Sequence, residues 1–253
     1  MDDASQGIVT AAFLVIGDEI LSGRTKDKNI GYVADFLAMA GIDLMEVRVV
    51  PDIEARIVEA VNTLRGQYDY VFTSGGIGPT HDDITADSIA KAFGVSIDHD
   101  PRAMAILSAH YPPGEFTPAR QRMARIPAGA DLIENKVSKA PGFRIGNVHV
   151  MAGVPSIMQA MLDAIAPTLR SGRKIISQTV DADLPESRIA DALRTIQGEN
   201  PDVIIGSYPR MTDGRFSTQV VLRSRDAARL GPVAEAVEAA VAAARAIEAA
   251  KKA

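Results

Sequence analysis

The run from Ser74 to Thr85, Ser-Gly-Gly-Ile-Gly-Pro-Thr-His-Asp-Asp-Ile-Thr, constrains the fold more than any other stretch of this chain. It follows a short apolar segment, Tyr70-Val71-Phe72, and precedes a helical pattern that ends near Phe93-Gly94. Gly75, Gly76 and Gly78 leave the connection without side chains, so its backbone N–H groups are open to close approach by a ligand. A strand, a glycine loop and a helix N-terminus in that order favour an anionic guest, most often phosphate. Asp82 and Asp83 place two carboxylates beside that anion, an arrangement that calls for a divalent cation between them. The run has neither the Gly-Lys-Ser/Thr of a Walker loop nor the Gly-x-Gly-x-x-Gly order of a dinucleotide fingerprint. A plainer reading stands beside this one, in which Asp82, Asp83 and Thr85 only cap the helix.

The first two-thirds of the chain alternate strand-like and helix-like segments. Ala11 to Ile16 reads as a buried strand; Ile30, Val33, Ala34, Leu37 and Ala38 share one helical face that stops at Gly41. Met45, Val47 and Val49 alternate with Glu46 and Arg48 as in a half-buried strand, and Asp52 opens a helix whose apolar stripe is Ile53, Ile57, Val61 and Leu64. Val148 to Met151 reads as a further strand, followed by a helix carrying Ile157, Met158, Met161, Leu162 and Ile165. Repeated strand–helix–strand units imply a mainly parallel sheet with helices on both faces. The loops at the carboxyl ends of such strands form the ligand site. Here they are Gly17 to Asn29, Pro51-Asp52, Ser74 to Thr85, and Ala152 to Ser156. The stretch from His99 to Arg144 reads as less regular, a lid or an oligomer contact, with Thr117-Pro118 as a helix start.

A boundary is expected near Arg170-Ser171-Gly172-Arg173, giving an α/β domain over 8–170 and a small α+β domain over 174–253. The second domain reads as strand (Lys174 to Thr179), helix (Pro185 to Ile196), strand (Val203 to Ser207), strand (Phe216 to Arg223) and helix from Ala227, with Asp213-Gly214 as a hairpin turn. Its buried stripes are Ile189, Ala192, Leu193 and Ile196, then Leu230, Val233, Val237 and Val241. The alanine-rich tail ending Lys251-Lys252-Ala253 reads as a fraying helix.

Composition removes several function classes. With no cysteine there is no disulfide, thiolate metal site or cysteine nucleophile. The net charge of −5 and the absence of tryptophan argue against nucleic-acid binding, so the arginines and lysines at Arg120, Arg122, Arg125, Lys136 and Lys139 read as solvated surface. No apolar run approaches the roughly 18 residues of a membrane span. The acidic start, Met1 to Gly7, shows no signal peptide, and a cytoplasmic location is expected. His81 is a possible acid or base, while His99, His110 and His149 read as structural.

Five stretches together resemble the molybdopterin-binding (MoaB/Mog-type) domain, and more closely the N-terminal part of the competence/damage-inducible protein A (CinA) family. They are Ile16 to Thr25, Val50-Pro51-Asp52, Ser74 to Thr85, Ala140-Pro141-Gly142-Phe143 and Gly153-Val154-Pro155. The unit after Lys174 is also similar to that family's second domain. The resemblance implies a three-layer α/β/α sandwich with a mainly parallel sheet, followed by a small βαββα domain. It also implies a pocket for a small-molecule pterin or nucleotide pyrophosphate.

By position, Asp83 matches the aspartate that works with Mg²⁺ (or Mn²⁺ or Co²⁺), Asp52 the second acidic position, and Asp82 an extra carboxylate of the CinA-like branch. Asp83 and Asp52 are thus the catalytic candidates, and Asp82 with Asp83 the metal candidates. The ligand-binding candidates are Gly17, Asp18, Glu19 and Ser22; Ser74, Gly75, Gly76, Gly78, Pro79, Thr80 and Thr85; and Gly153, Pro155 and Ser156. The family motif's proline and glutamate are here Ala152 and Ile157, and Ser138-Lys139 stands where many members carry Gly-Thr. These departures resemble the pterin-binding-like domain fused to eukaryotic FAD synthases. The nicotinamide-mononucleotide deamidase domain of full-length CinA proteins is not expected.

The leading expectation is a divalent-metal-dependent nucleotide pyrophosphatase of the ADP-ribose or FAD class, acting as a homo-oligomer. The alternatives are a molybdopterin adenylyltransferase, or a non-catalytic pterin- or nucleotide-binding module.

Overall fold

The computed structural model describes residues 7–212 and 215–250. Met1 to Gln6, Asp213-Gly214 where the sequence suggests a hairpin turn, and the terminal Lys251-Lys252-Ala253 lie outside the described residues. The chain divides into two compact units, one up to Arg173 and one from Lys174.

In chain order the first unit contains β1 (Val9–Ile16), α1 (Asp18–Leu21), α2 (Asn29–Ala40), β2 (Ile42–Val50), α3 (Glu54–Gln67), β3 (Tyr70–Ser74) and α4 (Thr85–Phe93). These are followed by β4 (Ile97–His99), α5 (Pro101–His110), α6 (Pro118–Gln121), β5 (Arg125–Pro127), β6 (Asp131–Ile133), β7 (Gly142–Ile145), β8 (Val148–Met151) and α7 (Pro155–Ile165). Six strands form one sheet in the order β2-β1-β3-β8-β7-β6. The first four run parallel, and β7 and β6 are antiparallel to their neighbours.

Strand alternation produces the three layers. Ala12, Leu14 and Ile16 of β1 pack with Ile57, Val61 and Leu64 of α3, Ile89 of α4 and Leu107 of α5. Ala11, Phe13 and Val15 face the other way, onto Val33 and Leu37 of α2 and Met158, Met161 and Leu162 of α7. The α/β/α sandwich expected from the sequence is therefore the fold, and β1 is buried on both faces as a parallel-sheet strand must be.

Several boundaries differ from expectation. Asp52 does not open a helix: α3 begins at Glu54, and Ile53 is 54% exposed rather than part of the stripe. Ala38 is exposed on α2. Met45 and Val47 of β2 point outward, and it is Glu46 that is held, by Arg48 and by the Tyr68 hydroxyl at 2.8 Å. β2 is the outermost strand, where a two-residue alternation does not tell which face finds cover.

The stretch His99 to Arg144 is more regular than its composition suggested. Asp100 caps α5 by accepting from Arg102 N at 2.8 Å and Ala103 N at 3.2 Å, with Pro101 in the first turn. Thr117 caps α6 in the same way, although that helix lasts only to Gln121. Beyond them β4 pairs with β5, and β6 with β7.

The second unit contains β9 (Ile176–Ala182), α8 (Ala190–Glu199), β10 (Ile204–Thr212), β11 (Arg215–Ser224) and α9 (Ala227–Ala250), with an antiparallel sheet in the order β10-β11-β9. The first strand starts and ends later than Lys174–Thr179. The expected helix from Pro185 is a 3-10 turn, Glu186–Arg188, before α8. Val180, Val220 and Leu222 of the sheet pack with Leu193 and Ile196 of α8 and Leu230, Val233, Val237 and Val241 of α9. No described helix is long and apolar enough to cross a membrane.

His149, on β8, is 1% exposed and stacks on Phe72 with Tyr70 at its edge. Neither ring nitrogen makes a well-formed hydrogen bond among the described residues. Burial, with the Arg144 guanidinium adding to it and the nearby Asn147 backbone opposing it weakly, pushes its pKa down to about 4. The folded state refuses a proton that the unfolded chain accepts near pH 6.5, so stability is lost as pH falls from that value towards 4, by roughly 3 kcal/mol. Urea titrations across this range are expected to show a shallower pH dependence for His149→Phe than for the wild type. Parallel curves would contradict a buried neutral imidazole.

Candidate active site

Parallel pairing of β2, β1, β3 and β8 brings their carboxyl ends, and the four loops that follow, to one edge of the sheet. The loops are joined there directly. Gly17 N donates to Val50 O at 3.1 Å, and Gly75 N to Met151 O at 3.1 Å. Asn29 Nδ2 donates to Gly153 O at 2.8 Å, and Asp18 N donates to Asp52 Oδ2 at 2.9 Å.

The glycine loop crosses the end of β1 at backbone contact distance. Gly75 has φ +107°, and a Cβ there would run into the carbonyl oxygen of Ile16. Gly76 has φ +67°, and its Cβ would collide with the Thr85 hydroxyl. Both positions therefore demand glycine, for space as well as for conformation. Thr85, fully buried, fastens α4 to the loop: its hydroxyl donates to Gly75 O and its N–H to Gly76 O, each at 3.0 Å.

Asp83 closes the other end of the loop. Its Oδ2 accepts from Thr80 N at 2.8 Å and from Thr80 Oγ1 at 2.6 Å. Between these anchors the N–H groups of Gly76, Ile77 and Gly78 find no acceptor among the described residues. Three free N–H donors in succession form an anion-binding concavity.

This loop forms one wall of a cavity of about 510 Å³. Of the residues expected from the sequence, Glu19, Gly75, Gly76, Gly78, Pro79, Asp83, Gly153 and Pro155 line it. Gly17, Asp18, Ser22, Asp52, Ser74, Thr80, Asp82, Thr85 and Ser156 do not. Ser74 and Thr85 are buried beneath the loop, and Asp82 is 66% exposed. Sequence reasoning missed Met123 and Asn135 in the wall and did not single out Thr25 within its first loop, while Ser138, noted as a departure from the family motif, is in the wall. Asn135, 3% exposed, organises its own loop: Nδ2 donates to Ser138 Oγ at 2.6 Å and Ala140 O at 2.8 Å, and Oδ1 accepts from the N–H groups of Val137 and Ser138.

The carboxylates differ in environment. Burial raises the Asp52 pKa from its ordinary value; the Asp18 N–H opposes this, and the charges of Asp18, Glu19 and Asp82 add to it. Among the described residues no three His, Cys, Asp or Glu side chains gather closely enough to hold a metal ion by themselves.

Comparison with known proteins agrees with this architecture. Residues 12–171 match the family described as "Probable molybdopterin binding domain", and residues 174–250 match "FAD synthase, middle domain". A protein from Archaeoglobus fulgidus is 34% identical over 195 residues, covering 77% of this chain and 83% of that protein. A "Probable FAD synthase" from Caenorhabditis elegans is 31% identical over 241 residues, which is 85% of this chain and 46% of the relative. The chain thus spans less than half the length of that relative. The crystal structure of the protein CinA, of unknown function, from Thermoplasma acidophilum superimposes with a TM-score of 0.60 and 35% identity, over 64% of this chain and 98% of the other.

The close crossing at Gly75 predicts a sharp contrast between glycines. Gly75→Ala is expected to lower stability by about 2 kcal/mol or more. Gly31→Ala, inside α2 with open space around it, is expected to raise stability by about 0.5–1 kcal/mol. Chemical denaturation of both variants checks this, and a neutral Gly75→Ala would contradict the described loop.

Proposed function

The chain belongs to the molybdopterin-binding-domain family, and from that premise we propose that its cavity binds a nucleotide or pterin carrying a phosphate or pyrophosphate group. The observation that carries this reading is the row of free N–H groups at Gly76, Ile77 and Gly78 in the wall of a cavity of about 510 Å³. The apolar side chains of Ile77, Met123, Val154 and Ile157 suit a planar ring, and the volume suits a nucleotide-sized molecule.

The finer reading is hydrolysis of a nucleotide pyrophosphate of the ADP-ribose or FAD class with a divalent cation, Mg²⁺, Mn²⁺ or Co²⁺. The donor set fits such a cation: Mg²⁺ bound with phosphates needs only one or two carboxylates, and Asp83 and Asp82 would supply them. When bound, the cation supplies neutralisation of phosphate charge and a lower pKa for a bound water. The glycine N–H groups hold the non-bridging oxygens and orient the pyrophosphate. Asp52, whose proton affinity is raised and which stands outside the cavity wall, would take the proton of the attacking water through one intervening water. A new P–O bond forms as the bridging P–O bond breaks, and two monophosphates leave.

A second reading has its own support: Ile157, in the cavity wall, stands where the family motif carries glutamate, which favours a non-catalytic pterin- or nucleotide-binding module over a hydrolase.

Turnover of ADP-ribose, FAD, NAD and ATP by the purified protein with each cation separates these readings. AMP release from ADP-ribose or FAD is expected, abolished by chelator and lowered on the order of 100-fold by Asp52→Asn. Asp83→Ala is expected to remove turnover. The rate should fall on acidification as Asp52 takes up its proton before reaction, and at a higher pH than an unperturbed aspartate would give. Ligand binding without turnover favours the binding module, and absence of both contradicts the reading of the cavity.

A further inference from the structure

Arg122 belongs to the 3-10 turn Arg122–Ala124, and its guanidinium makes no hydrogen bond or ion pair among the described residues. Its Nε is fully buried without an acceptor. The other two arginines of this segment are committed. Arg120 donates to Glu115 O and Oε2 and lies over the Tyr111 ring. Arg125 holds Asp87 through both terminal nitrogens, at 2.8 and 2.6 Å.

Arg122, Arg125 and Asp87 line a narrow slot together with Ile77, Gly78 and Met123. Ile77, Gly78 and Met123 also line the main cavity. With Asp87 committed to Arg125, the slot keeps one uncompensated positive charge beside Ile77 and Gly78 of the glycine loop, next to the main cavity rather than in its wall. A buried guanidinium N–H without an acceptor is costly, and guanidinium geometry matches phosphate oxygens. The sequence alone had suggested solvated surface for this residue.

We propose that Arg122 is a ligand-binding cation of this site: it donates to the anionic group held by the N–H groups of Gly76 to Gly78, and so makes the cavity select pyrophosphate-bearing molecules over the same ring system without phosphate. This rests on the reading of the cavity given above and adds the residue that sets its selectivity. The carboxylates of Glu19 and Asp83 in the same wall repel an anion, and Arg122 offsets them.

Calorimetric titration of the full chain with inorganic pyrophosphate, ADP-ribose and adenosine, each in the presence of Mg²⁺, tests the proposal in wild type, Arg122→Gln and Arg122→Lys. Arg122→Gln is expected to weaken pyrophosphate and ADP-ribose about tenfold or more, with adenosine changed less than about twofold and partial recovery in Arg122→Lys. A merely structural role would weaken all three ligands alike, which would overturn the proposal. If Arg122→Gln does not fold, the Arg122 Nε–H resonance of the wild type should shift on addition of pyrophosphate, and an unmoved resonance overturns the proposal. Wild-type binding that Arg122→Gln leaves unchanged overturns this assignment alone. A wild type that binds neither pyrophosphate nor ADP-ribose overturns the reading of the cavity and this proposal with it.

Discussion

The site depends on one contact: the backbone of Gly75 passing against the carbonyl of Ile16 where β3 leaves the sheet beside β1. No side chain fits there, so the chain can turn tightly enough for Thr85 to reach back and fasten α4 to the loop. That fastening leaves the N–H groups of Gly76 to Gly78 without an acceptor among the described residues. The parallel sheet supplies the rest, since it puts the ends of β1, β2 and β8 in the same place.

Charge is arranged in opposition around this cradle. Free N–H groups and Arg122 attract an anion, while Glu19 and Asp83 in the wall and Asp18, Asp52 and Asp82 nearby repel one. Such a mixture is unfavourable for a bare anion and favourable for an anion accompanied by a cation. Burial raises the proton affinity of Asp52, and the charges of Asp18, Glu19 and Asp82 add to it. Its hydrogen bond from the Asp18 N–H ties the loop after β1 to the loop after β2.

Much of this was legible in the sequence, because the signals were local. The apolar runs of β1 and β3, the stripes of α2, α3 and α7, and the glycine loop each announce themselves within a dozen residues. What escaped was set by distant partners. Met45 and Val47 alternate well enough to look inward, yet Glu46 is the residue that finds Arg48 and Tyr68. Ile53 matches helical spacing but precedes the helix. Asn135 and Met123 enter the cavity wall only because residues far apart in the chain converge there. Arg122 looks like any surface arginine until its neighbours are seen to be paired with Glu115 and Asp87 while it is not. The α5 cap at Asp100-Pro101 was readable by the same rule that found Thr117-Pro118.

The central claim is that the loop of Gly76, Ile77 and Gly78 is an anion cradle. Amide chemical shifts of the labelled protein during titration with pyrophosphate in the presence of Mg²⁺ test it most directly. Large, saturable shifts centred on those three N–H groups, with Thr80 and Thr85 moving less because their N–H groups are already bonded, are the predicted result. Unmoved resonances at Gly76, Ile77 and Gly78, with saturable shifts elsewhere on the molecule, would contradict the account.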